Sequence, residues 1–174
     1  MLETATELAR DVGIRSFTIE ELARRSGVAK TTIYRHFPSK NAIIIAALDG
    51  VTPVPTLVDT GSFRDDLVHF LGEVLPIFAS RDLRALFLDL LAVSTFDPEL
   101  AELGGSMMEG RGAALATIVT RAVDRGELPA DLDLDTGFEL IEGPLLIRSI
   151  AFPDALDDLD LDDLVTRIIA RLHA

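Results

Sequence analysis

The chain of 174 residues contains no cysteine and no tryptophan, and it has a single tyrosine. Without cysteine there are no disulfides, no thiolate metal sites and no thiol chemistry, which fits a reducing cytoplasm. The first residues carry acids and lack the pattern of a signal peptide. No apolar run approaches the roughly 18 residues that a membrane span needs. We therefore expect a cytoplasmic protein without a membrane partner.

Sequence motifs of catalysis are also lacking. The histidines, His36, His69 and His173, are far apart and do not have a metal-ligand spacing such as His-Glu-x-x-His. No phosphate loop, dinucleotide fingerprint or Gly-x-Ser-x-Gly elbow is present. The acidic run 154–163 lacks the glycine and the distal glutamate of a calcium loop. We expect neither an enzyme nor a bound cofactor or metal.

Positive charge is scarce, since the net charge is −13, and this argues at first against a nucleic-acid partner. The charge is segregated, however. Residues 1–48 hold seven basic and five acidic residues, whereas the remainder holds nine basic and 24 acidic ones. This pattern is typical of a small DNA-reading head on an acidic body. The alternative is that the acidic faces of the body are simply solvated helix surface.

The N-terminal segment shows helical periodicity with clear boundaries. Apolar residues predict a first helix over 2–12, ended by Gly13. A second helix is predicted to begin at Thr18, which forms a capping box with Glu21, because the hydroxyl and the carboxylate both satisfy free backbone N–H groups. This helix leads to Gly27, which suits a left-handed turn.

A third helix is predicted from Ala29 to Phe37, with Ile33 on its buried side. Pro38 ends it, and a fourth helix capped by Ser39 runs to Leu48. Two short helices around a glycine turn make a helix-turn-helix, whose second helix lies in the major groove of DNA. The predicted surface of this recognition helix consists of hydrogen-bond donors, namely Lys30, Thr31, Thr32, Tyr34, Arg35 and His36.

The stretch from Thr18 to Lys40 resembles the DNA-binding segment of the TetR family. The resemblance rests on the Ala-x-x-x-Gly-Val turn that begins at Ala23, on Ile-Tyr-x-His-Phe over 33–37, and on Lys40 just beyond. It covers about the first 48 residues. It implies DNA contacts by seven side chains, those of Thr18, Lys30, Thr31, Thr32, Tyr34, His36 and Lys40.

The resemblance implies two kinds of contact. Phosphates are bound by Thr18, Tyr34, His36 and Lys40, and the groove floor or its edge is faced by Lys30, Thr31 and Thr32. Two positions depart from the family pattern. Ala29 stands where the family often has serine, and Thr31 stands where glycine is frequent, so the cap of the recognition helix and its approach to DNA are in doubt. Taken singly, each contact residue is better explained as helix surface or core, and it is their order and spacing together that favour DNA contact.

Beyond a proline- and glycine-containing linker at 50–62, the pattern predicts amphipathic helices over 62–79, 81–94, 97–125, 133–151 and 161–172. The fold class is therefore all-α with about nine helices. We divide the chain into a helix-turn-helix DNA-binding domain over 1–48, built from three helices, and a helical effector-binding and dimerisation domain over 49–174.

In the resembled family the last two helices pair with their copies in a four-helix dimer interface. The resemblance therefore implies a homodimer, in keeping with the two-fold symmetry of helix-turn-helix operators. The expected interface residues are Phe138, Ile141, Gly143, Leu145, Ile147, Leu164, Ile168 and Leu172. The alternative is that both helices belong to the core of a monomer.

The middle helices are expected to enclose a pocket for a small apolar effector, because aromatic and methionine side chains form adaptable apolar cavities. The candidate residues are Phe70, Phe78, Phe87, Leu91, Phe96, Met107, Met108 and Arg111. A stripe of this kind is also typical of ordinary core.

The sequence therefore predicts a ligand-responsive transcriptional regulator that binds a palindromic double-stranded DNA operator as a dimer. Repression, with release by the effector, is the usual mode of the resembled family, and activation stays open from the residues alone. The alternative function is a helical protein-interaction module whose helix-turn-helix no longer binds DNA. The two differ in a measurable way, because a working regulator loses DNA affinity steeply as salt rises.

Overall fold

The computed structural model describes residues 1–48, 54–156 and 158–173, without the side chains at 103, 104, 106–108, 153 and 155. Within these ranges it contains nine α-helices, one short 3-10 helix and no strand, so the all-α prediction is confirmed. The α-helices are α1 Leu2–Ser16, α2 Ile19–Ser26, α3 Lys30–His36, α4 Lys40–Leu48, α5 Phe63–Ala79, α6 Arg81–Ser94, α7 Pro98–Asp124, α8 Leu134–Ala151 and α9 Leu161–Leu172, with the 3-10 helix at Pro153–Leu156.

Several helices begin where a side chain caps them. Ser62, Asp133 and Asp160 each accept a hydrogen bond from the backbone N–H three residues later, at the starts of α5, α8 and α9. These caps satisfy donors that the first turn of a helix leaves without a partner. The predicted starts of these helices are accurate for that reason. Helix α7 is also continuous through its glycines, although the sequence weakens its first half.

The chain forms two compact units. The head unit comprises Met1–Pro53 and Arg81–Met107, and the body unit comprises Val54–Ser80 and Met108–Ala174. Helix α6 and the first part of α7 thus pack with the N-terminal helices, a grouping that sequence periodicity does not reveal. The predicted domain boundary at residue 48 separates the expected DNA-binding segment from the expected effector-binding segment. It stays a prediction.

The core of the head unit joins α1 to α4 with α6. Leu8, Leu22, Ile33 and Ile43 are fully buried in it, and α6 contributes Leu90. Helices α1 and α4 are also linked by a hydrogen bond of 2.7 Å from the Thr6 hydroxyl to the Ala47 carbonyl. The recognition helix α3 is therefore mounted on a packed base.

Helix α1 differs from the prediction that it ends at Val12. It continues to Ser16 across a break at Gly13, whose φ of 79° and ψ of 161° are not helical. The N–H of Ile14 donates to the carboxylate of Asp89 in α6. Ile14 itself is buried. The last turn of α1 therefore persists because a tertiary partner holds it.

The core of the body unit is built around α5. This helix packs against α8 and α9, and its buried side includes Leu67, Phe70, Val74 and Phe78. Asp66 is also fully buried at the start of α5, where its carboxylate accepts hydrogen bonds from the backbone and hydroxyl of Thr60.

Candidate nucleic-acid interface

The predicted helix-turn-helix is formed by α2, a turn at Gly27 and α3. Gly27 adopts the left-handed conformation, with φ 69° and ψ 5°. Only glycine takes this conformation without steric cost. Leu22 of α2 and Ile33 of α3 are fully buried and hold the two helices to the head core. The outer side of α3 is thereby presented to solvent.

Thr18 caps α2 as predicted, because its Oγ1 accepts a hydrogen bond of 3.2 Å from the N–H of Glu21. The second half of the predicted capping box is wrong. The Glu21 carboxylate pairs instead with Arg24 at 2.6 Å and Arg25 at 2.8 Å. Hydrogen bonds from Arg24 and Arg25 lower the pKa of Glu21 to about 2. Thr18 is exposed, and this cap uses its hydroxyl only as an acceptor, so the hydroxyl proton is still available for donation.

Most of the predicted contact residues on α3 are exposed. Lys30, Thr31, Tyr34 and His36 lie at the surface, with Tyr34 52% exposed, and Thr32 is half-buried. The helix begins after Ala29 without a side-chain cap. This agrees with the departure from serine noted in the sequence. Donor groups are therefore available on α3 for phosphates or base edges.

The ammonium of Lys30 is engaged by an acid of α2. Its Nζ forms an ion pair with the Glu20 carboxylate, and this hydrogen bond lowers the pKa of Glu20. Helical periodicity gives no signal for this pair, since the two residues are ten positions apart and lie on different helices. To contact DNA, Lys30 must exchange a carboxylate for a phosphate.

Lys40 is half-buried at the first turn of α4. Its Nζ donates to the backbone carbonyl of Arg15 at 3.3 Å. Burial lowers the pKa of Lys40, although the charges of Asp97 and Asp89 act in the opposite direction. The preceding residue, Ser39, caps α4 by accepting a hydrogen bond of 2.9 Å from the N–H of Ala42.

Comparison with known proteins gives two matching family models. The model described as "Bacterial regulatory proteins, tetR family" matches residues 1–47, and "Tetracyclin repressor-like, C-terminal domain" matches residues 57–168. The chain belongs to the TetR family. Members of this family are DNA-binding regulators and not enzymes, so this TetR-family protein is a transcriptional regulator.

Relatives and solved structures agree with this assignment. The regulator YdeS of Bacillus subtilis is 28% identical over 100% of this chain and 88% of its own length. Rv1556 of Mycobacterium tuberculosis is 31% identical over 86% of this chain and 74% of its own. The structure of Salmonella enterica GusR covers 99% of this chain and 93% of its own with a TM-score of 0.74, and at 22% identity it shows the fold alone.

The candidate effector residues of this TetR-family regulator are distributed over both units. Phe70, Phe78 and Arg111 are buried in the body, and Phe87 is buried in the head. Leu91, also in the head, is half-buried. The side chains of Met107 and Met108 lie outside the described residues.

Phe96 departs most clearly from the expected pocket wall. It is 79% exposed because it lies in the turn between α6 and α7, and it borders an open cavity of about 560 Å³ in the head unit. The other residues of that cavity are Ile14, Arg15, Lys40, Asn41, Val93, Asp97 and Leu100.

The predicted dimer residues need a correction. Ile141, Leu145, Leu164, Ile168 and Leu172 are buried within the single chain, so these side chains form its own core rather than a free surface. The physical reason is that α8 and α9 pack on α5, and the apolar stripes of both helices are used there.

Apolar surface nevertheless remains on α8 and just after it. Of the predicted residues, Ile147 is 59% exposed, and Phe138 and Gly143 are half-buried. Two further apolar residues, Ile150 and Phe152, were not among the predicted interface residues and are 57% and 63% exposed. Their spacing from Ile147 was visible in the sequence, but periodicity could not tell which apolar face the body core would cover.

No described helix is long and apolar enough to cross a membrane. Among the described residues, no group of three acidic or histidine side chains is placed to hold a metal ion.

Proposed function

We propose that this regulator binds a palindromic DNA operator as a homodimer, represses transcription, and is released by a small apolar effector. The observation that supports the DNA part is the placement of exposed donors on α3, which is anchored by the fully buried Ile33. In the proposal Lys30, Thr31 and Thr32 enter the major groove, while Thr18, Tyr34, His36 and Lys40 bind phosphates.

The proposed dimer interface uses the exposed apolar surface of α8. Ile147, Ile150 and Phe152 each leave more than half of their surface exposed in the single chain. Covering such side chains against a second copy releases water from apolar surface, at roughly 25 cal/mol for each Å². A groove of about 340 Å³ between α8 and α9 is bordered by Gly143 and Pro144 but also by charged side chains, those of Glu139, Arg148, Arg167 and Arg171, so this concave region is polar rather than apolar.

The proposed effector is uncharged and binds the body unit. Arg111, a candidate tether, is paired with Glu142 at 3.3 Å in the interior. Its charge is therefore already matched, and this favours a neutral, largely apolar ligand over an anion. Phe70 and Phe78 are 1% exposed, so binding among them requires the core around α5 to open.

The proposed mechanism is a change of spacing between the two recognition helices of the dimer. Operator binding requires them about one DNA turn apart, roughly 34–36 Å, or a multiple of it. An effector that binds better when the heads are spaced differently weakens DNA binding through α4. Coupling of this kind typically amounts to ~1–3 kcal/mol.

Selection from randomised duplex DNA at moderate salt tests the DNA part. The wild-type protein is run beside the Tyr34→Ala, Lys40→Ala double variant. An Arg81→Ala variant, which removes an exposed cation of α6, serves as the control. We expect an inverted repeat to be enriched by the wild type and the control but not by the double variant.

Absence of any enriched sequence at any salt concentration would contradict the proposal and favour the protein-interaction module. The recovered operator is then used to screen neutral apolar compounds. A compound that binds tightly and leaves DNA affinity unchanged would contradict the allosteric part.

A further inference from the structure

The break in α1 is held open by a residue of α6. Gly13 has a φ of +79°, and a Cβ at this position would lie 3.0 Å from Oδ2 of Asp89. A break of this kind deprives the next N–H group of its helical acceptor. The N–H of Ile14 instead donates to the same Asp89 carboxylate, a charge-assisted bond.

The turn that follows the break carries the hydrogen-bond partner of Lys40. Arg15 is the residue after Ile14, and its carbonyl is one of the last in α1, which have no helical donor. This carbonyl accepts the hydrogen bond of 3.3 Å from Lys40 Nζ. Asp89, Ile14, Arg15 and Lys40 thus form a continuous path from α6 through α1 to the first turn of α4.

The charges around Lys40 support the same relationship. Burial lowers its pKa, and both Asp97 and Asp89 counteract this effect. The carboxylate of Asp97 is itself occupied, since it accepts hydrogen bonds from the Asn41 side chain at 3.0 Å and from the N–H of Glu99 at 3.1 Å. Asp97 and, to a smaller extent, Asp89 thus favour the charged ammonium, and Asp89 also accepts the hydrogen bond from the backbone turn that precedes the Arg15 carbonyl.

We infer that Asp89 is a positioning residue for DNA binding, which sets the phosphate contact of Lys40 through the Ile14–Arg15 turn. This inference rests on the proposed function, because it requires Lys40 to contact DNA. It assigns α6, a helix outside the helix-turn-helix, an indirect part in operator affinity, exerted through α1 and Lys40. A displacement of α6 that withdraws Asp89 weakens DNA binding.

Salt-dependent binding to the selected operator tests the inference. Each lost phosphate contact reduces the slope of log affinity against log salt by about 0.9. We expect Asp89→Ala to lose roughly tenfold in affinity and to reduce the slope by about one contact, as Lys40→Ala does. The Asp89→Ala, Lys40→Ala double variant should bind no more weakly than Lys40→Ala alone. Asp89→Asn, which keeps an acceptor for Ile14, retains most of the slope.

Controls separate positioning from folding. Asp82→Ala removes an exposed acid from the same helix and should change neither slope nor affinity by a comparable amount. Thermal unfolding of each variant reports stability separately. If Asp89→Ala does not fold, Asp89→Glu carries the same test, because it keeps the charge but moves the acceptor by one methylene.

The outcomes are distinguishable. Additive losses in the Asp89→Ala, Lys40→Ala double variant would overturn the inference, as would an unchanged salt slope in Asp89→Ala. A Lys40→Ala variant with unchanged operator affinity and salt slope would also overturn the inference. If the wild-type protein selects no operator, the proposed function itself fails. If the wild type binds and Lys40→Ala weakens binding while Asp89→Ala does not, the inference alone fails.

Discussion

Arg111 Nη2 lies 3.3 Å from Glu142 Oε2 in the interior of the body unit, where α7 and α8 place the two residues. Both are nearly inaccessible, at 3% and 5% exposed. Glu142 Oε1 is buried without a hydrogen-bond partner among the described residues. Burial raises the pKa of Glu142, and Arg111 only partly opposes this. The pair is therefore held by mutual neutralisation against a large desolvation cost.

Removal of the arginine should make stability depend more strongly on pH. In Arg111→Met, Glu142 keeps its burial and loses the charge that opposes the rise of its pKa. A carboxyl whose pKa is higher in the folded state binds a proton on folding. The contribution of Glu142 to stability is then most favourable below the ordinary value of 4.5 and is lost as pH rises through the folded pKa. We expect a loss of about 3–5 kcal/mol at neutral pH, measured by urea unfolding from pH 4 to 8.

The matched control for this prediction replaces both partners. Arg111→Met combined with Glu142→Leu removes both buried charges of this pair, so its stability should lie near or above that of the wild type. A single variant as stable at pH 7 as at pH 4 would show that Glu142 gains access to solvent when Arg111 is removed.

Glu20→Gln should strengthen DNA binding. The Glu20 carboxylate pairs with Lys30 and adds a negative charge close to the recognition helix. Removal of this carboxylate frees the Lys30 ammonium for a phosphate and abolishes the repulsion between the Glu20 charge and the DNA. We expect a several-fold gain in affinity at low salt that shrinks as salt rises. Glu3→Gln, which removes an exposed acid from the first turn of α1, is the control.

A charge on the exposed face of α8 should prevent dimerisation. Ile150 is 57% exposed in the single chain, so Ile150→Glu is compatible with the protomer fold. In the proposed dimer it places an acid in an apolar interface, where burial of an unpaired charge is costly. Analytical ultracentrifugation should show a shift to monomer. Leu57→Glu, at a position 45% exposed, should leave the assembly unchanged.

Gly27→Ala should weaken both folding and DNA binding. A Cβ at this position meets no atom within 4 Å, so the cost comes from the left-handed backbone with its φ of +69°. This conformation costs a residue with a Cβ roughly 1–2 kcal/mol. Denaturant unfolding should register a loss of that size. Gly27→Asn should lose less, because asparagine tolerates the conformation, and an equal loss in both variants would contradict this explanation.

Local structure could be predicted from the sequence, because its signals lie within a few residues of one another. The cap at Thr18, the left-handed Gly27 and the starts of α5, α8 and α9 each depend on neighbouring residues alone. The TetR-type segment likewise lies in one continuous stretch, and for this reason the family and the regulatory function followed from the sequence.

Only the tertiary structure could decide the features that depend on contacts between residues far apart in the chain. Asp89 lies 75 positions from Ile14, and its bond keeps α1 helical beyond the break at Gly13. The pairing of Arg111 with Glu142 has no local signal either. An apolar stripe specifies that a helix face is buried but not what covers it. Only the packing of α8 and α9 on α5 decided that Ile141 and Ile168 form the protomer core while Ile150 remains at the surface.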